Sequence, residues 1–259
     1  VMVMPSDRIR RLLCLLLPFA QVLVALLPVL GIGHSVGVMS AASQTPVVPA
    51  GYAFPMMWTV LFLLSVAFGV WQLLPAQEND PLARRVGWPL AGVFAANTLW
   101  MLVAIFSSRN HFGLVVIILA GLGCALAAMF LARSVPATRI GAWLVRPLSG
   151  LMAGWLSAAS FANLSGAARA AGIVEPEGFG AALVASLIVL AAGGFAAAVI
   201  WLLRDARWYA AGVIWALLAV VLANLGINQF NLPVAVVAGA MLALVGALAW
   251  SRGRTIAAA

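Results

Sequence analysis

The sequence predicts an all-α, polytopic integral membrane bundle of about eight transmembrane helices, and three observations carry that expectation. Apolar stretches recur along the chain, each about 18–25 residues long, enough to cross a hydrocarbon core roughly 30 Å thick. The arginines between them fall mostly on one side of an alternating row. Charged residues stay out of the middle of every stretch.

The stretches run at roughly 12–33, 54–74, 88–107, 112–132, 147–168, 179–203, 208–227 and 232–250. The first follows Arg8, Arg10 and Arg11, and Pro18 and Pro28 inside it predict kinks. An arginine-rich flank before an apolar run also opens a signal peptide, and the small residues Ser40, Ala41, Ala42 and Ser43 offer a cleavage site. The run is longer than a usual signal core, and the charge alternation after it favours a retained signal-anchor. Pro55, Pro89, Pro147 and Pro233 are expected in the first turn of spans two, three, five and eight, where a missing N–H costs nothing. Gly150–Gly154 in span five has the small-xxx-small spacing that permits close helix approach, as do Gly33–Gly37 and Gly194–Ala198. Cys14 and Cys124 sit in apolar runs and read as small core residues.

All fourteen basic residues are arginine. Arg8, Arg10, Arg11, Arg84, Arg85, Arg133, Arg139, Arg146, Arg204, Arg207, Arg252 and Arg254 fall on one side; only Arg109 and Arg169 fall on the other. Basic flanks remain cytoplasmic, so both termini are predicted inside a multi-pass protein of the bacterial cytoplasmic (inner) membrane. The net charge of +8 is then topology signal and attraction to anionic headgroups of the bilayer rather than a sign of nucleic acid, which is not expected as a partner.

The composition of the spans limits function. Ionisable groups inside a bilayer mark proton relays and ion paths, and their absence from these spans argues against pumps and proton-coupled carriers. H-E-x-x-H does not occur and no carboxylate–histidine cluster falls inside the spans, so no enzyme activity and no catalytic residue are expected. His34 and His111 both fall on the arginine-poor side; they read as polar interface residues or as ligands of a haem or chlorin metal.

Ten tryptophans divide by depth. Trp71, Trp88, Trp143, Trp201, Trp208 and Trp250 fall near the arginine-bearing span ends and read as an aromatic belt. Trp58, Trp100, Trp155 and Trp215 lie deeper. A buried indole N–H needs a partner or a ligand, so these are either packed core or pocket walls. Asn97 stands three residues before Trp100 and Asn163 eight after Trp155, each pair on one side of its helix. Such a set fits a cavity for a flat, mainly apolar small molecule.

Three patterns resemble the translocator-protein, or tryptophan-rich sensory protein, family (TspO/MBR). Pro46, Pro49, Gly51, Phe54, Trp58, Thr59, Leu61 and Phe62 are similar to its first signature. Ala96, Asn97 and Trp100 resemble its L-N-x-x-W step, and Trp155, Ala159 and Asn163 keep its third spacing. Leu151 and Met152 stand where the family has Pro-Tyr, and Phe62 where it has tyrosine. No counterpart of the animal cholesterol-recognition pattern follows Asn163, so sterol transport is not carried over. The resemblance covers about residues 10–170. It implies a five-helix bundle (1–170) that binds a porphyrin or other tetrapyrrole for sensing or regulation, often as a homodimer. Its pocket positions are Phe54, Trp58, Asn97, Trp100, Trp155 and Asn163.

Residues 171–259 form an additional three-helix transmembrane segment in this reading. Trp215–Gly226 echoes Trp155–Gly166, as a partial duplication or as shared small-residue packing. The alternative function is a structural or assembly subunit of a larger membrane protein complex, with the deep tryptophans merely packed. The uncharged outer loop from His34 to Ala53 is a candidate lid over the bundle.

Overall fold

The computed structural model describes residues 5–35, 45–107, 109–175, 177–203 and 206–257. Eight long helices account for the eight apolar runs: α1 (Pro5–Leu26), α2 (Ala53–Trp71), α3 (Pro81–Phe106), α4 (His111–Leu131), α5 (Arg139–Ala170), α6 (Phe179–Leu202), α7 (Arg207–Asn224) and α8 (Leu232–Ala257). Short 3₁₀ turns follow α1 (Leu27–Leu30) and α2 (Pro75–Gln77). No strand occurs among the described residues.

Helix ends follow capping chemistry rather than the edges of the apolar runs. Asp80 accepts the Ala83 N–H at 2.7 Å and Pro81 takes the first position, so α3 starts well before its apolar core. Thr138 caps α5 through the Gly141 N–H at 3.1 Å, and Asn110 caps α4 through that of Gly113 at 3.0 Å. Pro89 and Pro147 therefore lie about two turns inside their helices and not in the first turn. Pro55 and Pro233 do lie in first turns. Pro18 stays within α1, while Pro28 falls in the 3₁₀ turn that ends at Gly31, whose φ of 78° is a left-handed cap.

α5 is the hub of the bundle. It packs against α4 and α7 most extensively, and also against α2, α3 and α6. Around it, α3 packs on α1 and α4, α2 on α1, and α8 joins α6 to α7. Seven of the eight helices are long and apolar enough to cross a membrane; α5, the longest, is the one that is not. Its polarity is spent inside the protein. Ser149, Ser157 and Ser160 are buried, and each donates its hydroxyl back to the carbonyl four residues earlier.

Glycine sets the distance between α5 and α7. A Cβ at Gly154 would collide with the Tyr209 carbonyl oxygen and approach Val213 N to 3.1 Å. One at Gly150 would lie 2.6 Å from Trp208 Cβ, and one at Gly212 2.8 Å from the Leu151 carbonyl oxygen. The Gly150–Gly154 spacing thus serves close backbone approach, as expected. In α6 the close contact falls one residue earlier than expected: Gly193 packs against Met241, while Gly194 faces open space. Of the third pair, Gly33 packs against Ile105 and Gly37 lies outside the described residues.

A buried arginine ties the arginine-rich end together. Arg10, 3% exposed, donates to Asp7 Oδ1 at 2.8 and 3.0 Å, to Gln72 Oε1 at 3.0 Å and to the Ala83 carbonyl at 3.0 Å. Gln72 Nε2 in turn donates to the Arg11 carbonyl at 3.0 Å. The guanidinium is thereby paired and hydrogen-bonded on α1, after α2 and on α3 at once, which is how a buried charge is tolerated.

Candidate functional site

The deep polar and aromatic residues meet where α2 and α3 face α5. Trp155 is buried on α5, and Phe54 of α2 meets its ring edge-on at a centroid distance of 5.5 Å. Trp100 of α3 donates its indole N–H to Asn163 Oδ1 at 3.1 Å, and the Asn163 amide donates to the Ala159 carbonyl at 2.8 Å. Asn97, also buried, turns to α1 and α5: its Nδ2 lies 3.2 Å from Gln21 Oε1 and 3.4 Å from Met152 Sδ. Trp58 is half-buried and rests on Phe62 at 5.4 Å.

Five of the six positions singled out in the sequence therefore bond to, or pack against, other helices: Phe54, Asn97, Trp100, Trp155 and Asn163. Trp58 packs against the same core, and its nearest ring is on its own helix. The asparagines do not pair with the tryptophans of their own motifs. Asn163 bonds the tryptophan of the second motif, and Asn97 bonds a glutamine outside all three.

Gln21 is the residue that sequence reasoning passed over. It is fully buried in the C-terminal third of α1, and its Nε2 has no hydrogen-bond partner among the described residues. A lone amide within an apolar run was the signal. Met152, which takes a position the family fills otherwise, supplies the sulfur that Asn97 touches. Trp155 lies 2% exposed one turn beyond Met152. One unpartnered buried donor, from Gln21, thus lies beside the Asn97 amide that also reaches Met152 on α5.

The fourth deep tryptophan does other work. Trp215 of α7 donates to the Ala53 carbonyl at 3.2 Å and meets Tyr52 edge-on at 6.2 Å. Asn224, fully buried at the end of α7, donates to the Pro46 carbonyl at 2.7 Å, and the Ala50 N–H bonds the Ala219 carbonyl at 3.1 Å. Residues 45–53, which carry the prolines and glycine of the first motif, are fastened along α7. Residues 36–44 of the expected lid, and with them the small-residue segment Ser40–Ser43, lie outside the described residues.

The belt is narrower than six tryptophans. Trp88, Trp143, Trp201 and Trp250 are exposed, and Arg252 stacks over the Trp201 ring at 3.9 Å. Trp71 is only 7% exposed and lies over Gly141 beside Phe68, and Trp208 is half-buried against Gly150. Cys14 is core, its Sγ 3.1 Å from the Gly87 carbonyl. No group of three or more His, Cys, Asp or Glu residues capable of holding a metal ion occurs among the described residues. The chemistry on offer is aromatic surface, amide and indole donors, and a thioether.

The family described as TSPO-like protein matches residues 11–250, from the first turns of α1 into α8, and so takes in the three helices beyond α5. No curated protein and no solved structure matches the chain. With its three tryptophan motifs on α2, α3 and α5 of a multi-pass helical bundle, the chain belongs to the TSPO-like protein family.

Proposed function

We propose that the protein binds a flat, mainly apolar ligand, a tetrapyrrole or a molecule of that shape, between α2, α3 and α5, for sensing or regulation rather than turnover. The observation that carries this reading is Gln21: a fully buried amide beside Asn97 whose Nε2 has no hydrogen-bond partner among the described residues. A buried side-chain amide normally has its donors hydrogen-bonded. That donor awaits an acceptor, while Phe54, Trp58, Trp100 and Trp155 supply aromatic surface. Asn97 and the Trp100–Asn163 pair hold the walls in place. The arginine distribution supports a bacterial inner-membrane setting with the arginine-rich end in the cytoplasm.

The test is titration of the purified chain with protoporphyrin IX, followed by the Soret absorption band. A saturable shift, weakened several-fold in Trp155→Phe and Gln21→Leu but not in the belt variant Trp250→Phe, is the expected result. A non-saturable shift, or one unchanged in both inner variants, overturns the reading.

A further inference from the structure

A cavity lies at the arginine-rich end, away from the tryptophan–asparagine constellation. It has a volume of about 510 Å³ and opens where the end of α4 meets the first turns of α5 and α7. Its size falls within the range of ordinary small-ligand pockets.

Three arginines from three segments converge on it: Arg133 just after α4, Arg146 on α5 and Arg207 at the start of α7. Among the described residues the lining includes no acidic side chain. Arg133 and Arg207 also have partners within the chain, whereas the Arg146 side chain is on the exposed face of its helix. Below the charges the wall turns apolar, with Met129, Ala142 and Gly150. Gly150 is one of the close contacts with α7, so the cavity has a floor built by the α5–α7 crossing.

The position of the mouth narrows the choice of occupant. Trp143 lines the cavity and is also 66% exposed, so one wall is continuous with the surface that faces lipid. Phe130, next to Met129, and Ile140, two residues before Ala142, are about as exposed. A cationic rim, an apolar floor and an indole at headgroup level are the complement of an anionic amphiphile. Basic pockets between transmembrane helices hold lipid headgroups by this chemistry.

We propose that this cavity binds the phosphate of an anionic phospholipid from the leaflet at the arginine-rich end, with Arg146 as its most available cation and Trp143 flanking the glycerol region. The site is independent of the ligand reading above, and neither needs the other.

The experiment is native mass spectrometry of the full chain released from nonionic detergent. It is titrated with dioleoyl phosphatidylglycerol, with dioleoyl phosphatidylcholine, and with phosphatidylglycerol in the presence of millimolar inorganic phosphate. Preferential retention of phosphatidylglycerol is expected, weakened about fivefold in Arg146→Gln and restored in Arg146→Lys. Arg139→Gln, an exposed arginine on the same helix outside the cavity, should leave retention unchanged. Equal retention of the two lipids, or equal loss in Arg139→Gln and Arg146→Gln, overturns the site. Displacement of the lipid by inorganic phosphate overturns the lipid as occupant and assigns the cavity to a soluble anion. Lipid-free melting temperatures of both glutamine variants report folding separately, and Arg146→Lys keeps the comparison decisive if Arg146→Gln is destabilised.

Discussion

Trp100 and Asn163 are joined across α3 and α5 by an indole-to-amide hydrogen bond of 3.1 Å, although each belongs to a different sequence motif. Inside a bilayer such a bond is a cross-helix tie of modest strength. A double-mutant cycle on Trp100→Phe and Asn163→Leu should give a coupling of about 0.5–1.5 kcal/mol. Thermal unfolding in micelles, with four proteins compared, measures it; strict additivity would remove the tie from the account.

Gly154 faces backbone on α7, which cannot rotate aside as a side chain can. Gly154→Leu should therefore destabilise by about 1–3 kcal/mol through forced separation of the helices. Gly194 has open space around it, and Gly194→Ala should be neutral or stabilising by up to about 1 kcal/mol through helix propensity. The two melting temperatures should move in opposite directions, or only the first should move.

Arg10 holds three segments with one guanidinium. Arg10→Leu would leave the Asp7 carboxylate and the Gln72 amide oxygen without their donor, at a cost of about 3 kcal/mol. Arg8 is exposed two residues earlier, and Arg8→Gln should change stability by no more than about 0.5 kcal/mol. Chemical unfolding of the two variants side by side checks the contrast.

Asn224 reaches back 178 positions to the Pro46 carbonyl. Asn224→Leu should release residues 45–53 from α7 while leaving the helices intact. Hydrogen exchange is the readout: the Ala50 amide, bonded to Ala219, should exchange about tenfold faster, in line with a lost buried bond of 1–2 kcal/mol. Unchanged protection at Ala50 would mean that the Trp215–Ala53 bond suffices.

Helix number was legible because long apolar runs leave few alternatives. Helix ends were less so, because Asp80 and Thr138 begin their helices outside the apolar runs, carrying Pro89 and Pro147 inward. The motif residues could be placed on the right helices but not paired. Whether Asn163 would bond Trp155 or Trp100 depends on rotation of α5 against α3, which no local pattern encodes. Trp71 illustrates the same limit: near a span end it looks like a belt residue, yet Gly141 on another helix makes room to bury it. The echo between Trp155–Gly166 and Trp215–Gly226 was visible, but the two copies have diverged in use. Trp155 stands beside Phe54 in the candidate site, whereas Trp215 and Asn224 secure a loop.

The polarity of α5 has a consequence for how the chain is made. A segment this rich in serine and glycine partitions poorly into lipid by itself, since insertion scales with the apolarity of the segment alone. α4 emerges before it, but α7, its other main cover, is synthesised only after α6. The central helix thus leaves the ribosome before half of its shelter exists, and its stable residence in the bilayer is a collective event completed when the C-terminal helices arrive.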